Sequence, residues 1–134
     1  MNDYDREIIE EFRANAGRVG GHWEGRDLLL LTTTGRKSGK QHTTPMAYTR
    51  DGERLLTYAS NNGADEHPGW YLNVLAAPEV VVEVGDERYA ATATPLQGDE
   101  RAREYAAQSE RMPAFAEYQE NTTRVIPVVA LRRR

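Results

Sequence analysis

The sequence predicts an α+β protein, mainly β: a small six-stranded antiparallel barrel with helices packed around it. Three observations predict this fold. Six apolar or β-branched runs of strand length recur along the 134 residues. Tight-turn signals such as Asp51-Gly52 and Gly85-Asp86 join several of them. Helical periodicity is confined to the start, the middle and the region before the last strand. At this length one hydrophobic core suffices, so residues 1–134 read as a single domain.

Tyr4, Ile8 and Phe12 recur at helical spacing, with Ile9 beside them and Asn2 or Asp3 as cap, so the chain should open with an amphipathic helix. Gly17, Gly20, Gly21 and Gly25 then surround Trp23, leaving one large aromatic on a connection expected to be mobile. Leu28 to Thr34 is apolar enough for a strand buried on both faces. Thr43–Arg50 and Arg54–Ser60 follow as a hairpin, with both Asp51 and Gly52 tolerating the positive φ of a two-residue turn. Asn61-Asn62-Gly63 turns the chain, Pro68 suits a first helical position, and Gly69–Ala76 is a short helix that stops before Pro78. Glu79–Val84 and Arg88–Pro95 form a second hairpin through Gly85-Asp86. Asp99 is the expected cap of a helix reaching Arg111; after Pro113 and a turn over 115–120, Val125–Leu131 is the last strand. Pro127 within it suggests an edge or a bulge.

Composition narrows the chemistry. The chain has no cysteine, which excludes disulfides, thiolate metal sites and a cysteine nucleophile, and suits a reducing cytoplasm. The amino terminus is acidic and amphipathic, unlike a secretory signal, and no apolar run reaches membrane-spanning length. His22, His42 and His67 are scattered without an acidic cluster, so no metal site is expected. The net charge of −4 argues against nucleic acid as a partner.

One segment opposes that charge. Between Leu28 and Arg50 lie Arg36, Lys37, Lys40 and Arg50 and no acid, whereas the whole chain carries 21 acids against 17 lysines and arginines. The bend GRKSGK is not a nucleotide-binding glycine loop: three residues rather than four separate Gly35 from Gly39, Gln41 follows Lys40, and a strand rather than a helix comes next. Two readings stay open for it. It is a solvated hairpin tip, or its backbone amides, arginine and lysine form a nest for phosphate or carboxylate.

LLTTTGRKSGK, the pair of strands in TTPMAYTRDGERLLTYAS, the turn SNNGADEHPGWYLNVLAAPEVVVEV and the closing TTRVIPVVAL resemble, in that order, the deazaflavin-dependent nitroreductase family of oxidoreductases. The resemblance covers nearly the whole chain. It implies a split β-barrel of the flavin-reductase kind that binds coenzyme F-420, an 8-hydroxy-5-deazaflavin with a phosphate and an oligoglutamate tail. It also implies hydride transfer from the reduced coenzyme to an organic acceptor such as a quinone or a nitro compound. By similarity, Arg36, Lys37, Ser38 and His42 meet the tail, and His42 stands where relatives often have arginine. Backbone groups of Pro45, Met46 and Ala47 line the deazaflavin ring. Ser60, Asn61 and Asn62 hold the phosphate linkage, and Trp70 and Asn73 lie beside the coenzyme, Trp70 having plain core packing as its alternative. Ser60 and Tyr118 are the candidate catalytic donors, with Trp23, Met112, Phe115 and Tyr118 walling the acceptor site. The alternative is that 112, 115 and 118 form one helical face packed on the barrel. Nitroimidazole-reducing relatives carry tyrosines where this chain has Met112 and Phe115, which favours a planar apolar acceptor such as a quinone.

Rival readings are a non-catalytic carrier of the deazaflavin or of another anionic ligand, an FMN or haem protein of the same barrel class, and a nucleic-acid module. Turnover, flavin titration and low-salt filter binding separate them. The implied location is cytoplasmic, at the membrane periphery if the acceptor is a lipid quinone. No self-complementary patch in the sequence identifies an oligomer.

Overall fold

The computed structural model describes residues 3–134, without the side chain of His22. Asn2, read as a candidate cap, and the His22 side chain therefore lie outside the described residues. The strands are β1 (Leu28–Thr34), β2 (Gln41–Asp51), β3 (Arg54–Tyr58), β4 (Glu79–Val84), β5 (Glu87–Pro95) and β6 (Val128–Arg133). They close an antiparallel barrel in the order β1-β2-β3-β6-β5-β4. Four helices lie outside it: α1 (Asp3–Ala14), α2 (Gly69–Ala76), α3 (Gly98–Arg111) and α4 (Ala114–Glu120).

Alternation along the strands builds two layers of packing. Leu29, Leu31, Met46, Tyr48, Val82 and Leu131 fill the interior together with Tyr71 and Val74 of α2. The outward Leu28 and Leu30 are buried too, beneath Ile8, Ile9 and Phe12 of α1. That explains the unbroken apolar run of β1: both of its faces are covered. Arg13 of α1 reaches Glu83 on β4 with a bidentate pair at 3.0 and 2.9 Å, fixing the helix on the barrel wall. On the opposite side Leu56, Tyr58, Val128 and Ala130 pack against Tyr105, Phe115 and Ile126.

Several local expectations are corrected; among the strand bounds, β2 starts at Gln41, β3 stops at Tyr58 and β5 starts at Glu87. The first hairpin turns on Gly52-Glu53, because Asp51 pairs with Arg54, and only Gly52 has positive φ (65°). β6 starts at Val128, after Pro127, and runs on to Arg133; Arg132 and Arg133 pair with Thr92 and Ala91 in spite of their charge. Proline lacks the N–H a ladder needs, so Pro127 precedes the strand and offers only its carbonyl, to Ala59 N–H at 2.9 Å. α3 begins at Gly98 with Gln97 in the capping position, and Asp99 lies inside the first turn, where a carboxylate still suits the helix dipole. Pro68 likewise precedes α2 in an extended conformation instead of forming its first residue.

Trp23 is not on a loose loop. It lies in a single helical turn, Gly21–Trp23, half-buried against the cluster of α1 and β1. No described helix is long and apolar enough to cross a membrane.

Candidate active site

The site arises where the barrel wall is discontinuous. β2 has eleven residues and β3 five. Residues 41–47 of β2 pair with β1, and only 48–51 pair with β3. Along its first half, the side of β2 facing away from β1 therefore has no strand beside it. The parity of that edge follows from one bond: Thr57 Oγ1 on β3 donates to the Ala47 carbonyl at 3.0 Å. Strand carbonyls two residues apart point the same way, so the Pro45 carbonyl opens toward the same side. The Ala47 carbonyl is thus committed, while the Pro45 carbonyl lies beyond the last β3 partner, on the open edge.

Two adjoining clefts run along this edge. The first, of about 620 Å3, is lined by Gly35, Arg36, Lys37, Ser38 and His42 of the bend and by Glu66, His67, Gly69 and Asn73 around the start of α2. The second, of about 820 Å3, is lined by Pro45, Met46 and Ala47, by Ser60 and Asn62, and by Trp23, Met112, Phe115 and Tyr118. Thr44, Asn61, Pro68 and Trp70 border both, so the two are compartments of one groove. Every site residue read from the sequence lines one or the other.

The bend is braced from α2. Asn73, a buried amide, accepts at Oδ1 from the Arg36 backbone N–H (3.2 Å) and from Arg36 Nη1 (2.9 Å), and donates from Nδ2 to Thr33 Oγ1 (3.2 Å). Its environment thus assigns it to orienting Arg36. Within the bend Gly35 N–H donates to Lys40 O at 2.7 Å and Gly39 N–H to Gly35 O at 2.9 Å. Ser38 Oγ accepts from Lys40 N–H at 3.1 Å. A Cβ at Gly35 would lie 2.7 Å from Ser38 Oγ and 2.8 Å from His42 Nε2, so glycine is what lets both side chains close over the main chain.

The Ser60–Asn62 loop is held by a residue that sequence reasoning missed. Arg124, before β6, donates from Nε to Ala64 O (2.8 Å), from Nη2 to Ser60 O (2.8 Å), and from Nη1 to Ala59 O (3.1 Å) and His67 Nδ1 (3.0 Å). A guanidinium only donates, so His67 Nδ1 accepts and the ring proton sits on Nε2. Burial, and secondarily the charge of Arg124, lower the His67 pKa below its ordinary 6.5. Asn61 and Asn62 both take positive φ (47° and 55°), a conformation asparagine tolerates better than most residues, and Asn61 Nδ2 ties back to Glu66 O at 3.1 Å.

Gly63 joins this loop to α4. Its φ is +82°, and a Cβ there would stand 3.0 Å from Tyr118 Cα and 3.1 Å from Tyr118 O. Gly63→Ala is expected to lower stability by about 2 kcal/mol through backbone strain and contact. Urea unfolding measures that loss.

The aromatic wall is a packed cluster. Tyr58 meets Phe115 edge-on at 5.5 Å, and Phe115 meets Tyr118 at 5.3 Å. Tyr105 donates to Phe115 O at 2.6 Å, and burial pushes its phenol up to about 12. Phe115 is therefore both core and cleft wall, and Met112 and Tyr118, packed against the same cluster, line the cleft beside it. Tyr58, Gln108 and Arg111 also line this compartment. None of the three was singled out as a site residue from the sequence; a buried glutamine on a charged helix leaves no pattern to find.

Fold and site together define the class, a split-barrel oxidoreductase that uses a deazaflavin. The chain belongs to the F-420H(2)-dependent quinone reductase family, whose model matches residues 4–133. It is 40% identical over 127 residues to an F-420H(2)-dependent quinone reductase of Mycobacterium tuberculosis, covering 92% of this chain and 85% of that one. Among solved structures, an F-420-H(2)-dependent reductase, FDR-A, superposes with a TM-score of 0.72 at 39% identity, covering 84% of this chain and all of that one (100%). A further structure, a domain-swapped dimer, superposes at 0.75 with 38% identity over 95% of this chain and 96% of that chain. The haem storage protein HutZ of Vibrio cholerae, 15% identical, shares the fold alone, with a TM-score of 0.63 over 94% of this chain and 87% of that one.

Proposed function

We infer that the protein is an F-420-dependent oxidoreductase that reduces a quinone-type acceptor. The observation that carries this reading is the two-part groove, with a cationic, glycine-containing bend at one end and an aromatic-walled compartment at the other. The two are joined along an open main-chain edge. A ligand with a planar ring and a polyanionic tail matches that division. When bound, the reduced coenzyme supplies a hydride from the ring carbon that replaces the reactive nitrogen of a flavin.

The residues present fit the coenzyme. Arg36 offers a fork already aimed by Asn73, Lys37 a second positive charge, and Ser38 a hydroxyl, all toward phosphate and carboxylate. His42 gives a weaker contact than arginine would, because imidazole is only partly charged near neutrality. Main chain at Pro45, Met46 and Ala47, with the Pro45 carbonyl on the open edge, would meet the polar edge of a fused ring, and Trp70 would flank it. Asn61 borders both compartments and Asn62 the second, where the linkage to the tail would lie.

On the acceptor side the Ser60 and Tyr118 hydroxyls are the donors for charge that develops on the acceptor oxygen, and Trp23, Met112 and Phe115 keep water out. A lipid quinone would bring the protein to the membrane surface. The test is oxidation of the reduced coenzyme with menadione as acceptor. Acceptor-dependent turnover is expected, and tight coenzyme binding without turnover would turn the reading into that of a carrier.

A further inference from the structure

One wall of the acceptor compartment has no task in the reading above. Arg111, in the last turn of α3, lines it with Gln108 and Tyr58. Gln108 is 1% exposed on a helix otherwise rich in charge. Its Oε1 accepts from Arg111 Nε at 3.2 Å, and its Nε2 lies 3.5 Å from Met112 Sδ. A buried amide is costly unless its bonds are made, and this one spends its carbonyl on a guanidinium. Thus held, Arg111 turns Nη2 toward the Tyr58 hydroxyl at 3.5 Å, the outer limit of a hydrogen bond. That hydroxyl is already engaged with Thr49 Oγ1 at 2.8 Å. Among the described residues, Arg111 Nη1 has no partner.

The result is a positive fork with donors to spare, in a compartment that Arg36 and Lys37 do not line. The other charges there, Asp5, Arg26 and Asp27, come from α1 and the segment before β1. Glu104 is close enough to influence Tyr58 but does not line the compartment. A guanidinium fork is matched best by two neighbouring oxygens sharing a negative charge. The anion of a 2-hydroxyquinone presents that pair, a ring carbonyl next to an ionised hydroxyl. An unsubstituted quinone presents single, neutral carbonyls.

We propose that Arg111, oriented by Gln108, selects acceptors carrying an ionised oxygen beside a quinone carbonyl over neutral quinones of the same size. The proposal rests on the oxidoreductase reading of the groove. Its test is calorimetric titration of the protein with 2-hydroxy-1,4-naphthoquinone, anionic at neutral pH, and with 1,4-naphthoquinone. The wild type is expected to bind the anion about tenfold more tightly. Arg111→Gln should bring the ratio of the two Kd values toward one, Arg111→Lys should retain part of the preference, and Gln108→Leu should reduce it with Arg111 in place.

Because an anion is also drawn to the bend, the Arg36→Ala, Lys37→Ala double variant is titrated in parallel and should keep the preference. Loss there with retention in Arg111→Gln places the anion on the bend and overturns the proposal, as does a ratio that Arg111→Gln leaves unchanged. Turnover separates the two levels of failure. If wild type oxidises the reduced coenzyme with either quinone while no Arg111-dependent preference exists, only the selectivity falls. If neither quinone binds or supports oxidation, the oxidoreductase reading falls with it.

Discussion

Replacing Arg36 and Lys37 together by alanine should weaken binding of oxidised coenzyme F-420 by at least tenfold and flatten its dependence on salt. Charge-assisted hydrogen bonds contribute about 1.5–3 kcal/mol each, and exposed ones less. Both side chains are exposed, so two of them support an estimate of about one to two decades. Arg36 should dominate, because Asn73 fixes both its N–H and its guanidinium, whereas Lys37 must be ordered by the ligand. Arg36→Lys keeps the charge but loses the planar fork, and should recover only a minor part of the affinity. Equilibrium titration at low and high ionic strength measures both effects. An unchanged Kd in the double variant would show that the tail does not use the bend.

The second large effect is expected at Arg124. Arg124→Ala leaves the carbonyls of Ala59, Ser60 and Ala64 and the ring nitrogen of His67 without their donor. A destabilisation of about 3 kcal/mol follows from losing several bonds to one charged, partly buried group. Because these acceptors flank Ser60–Asn62, coenzyme affinity should fall as well. Arg124→Lys should rescue little, since one ammonium cannot reach acceptors spread over residues 59–67.

The same site fixes a pH response. With its folded-state pKa lowered, His67 refuses a proton that the unfolded chain accepts once pH drops below about 6.5. Stability is therefore fully present above that pH and declines as pH falls through 6.5 toward the lowered folded-state value. Removing Arg124 removes the second cause of the shift, so the His67 titration, followed by NMR, should move back upward. A His67 pKa indifferent to Arg124 would contradict the assigned hydrogen bond.

The barrel was legible because its strands obey local rules: β1 and β4 were bounded correctly from apolar runs, and α2 from its flanking prolines. The two strand misplacements share a cause, in that a local pattern was overruled by what lay across the sheet. Arg132 and Arg133 look like a polar tail until β5 supplies their partners. Asp51 looks like a turn residue until it pairs with Arg54. For the site, the bend showed itself as a charge anomaly, and the remaining positions came from the order of motifs resembling a family. Arg124 and His67, 57 positions apart, carry no local signal, since their significance lies in one contact between distant segments. Gln108 hid in the same way, as a polar letter on a polar helix.

The unequal lengths of β2 and β3 have a further consequence for how such a protein is dissected. Were the pocket to grip through amides and carbonyls, as proposed, it would have no alphabet: alanine scanning along residues 43–47 would change what hangs from the chain and leave the gripping atoms where they were. Only the imino acid at 45 already differs, lacking a hydrogen to give. Chemical editing of single peptide links, swapping an amide for an ester, is the form of mutagenesis that this stretch of chain would register.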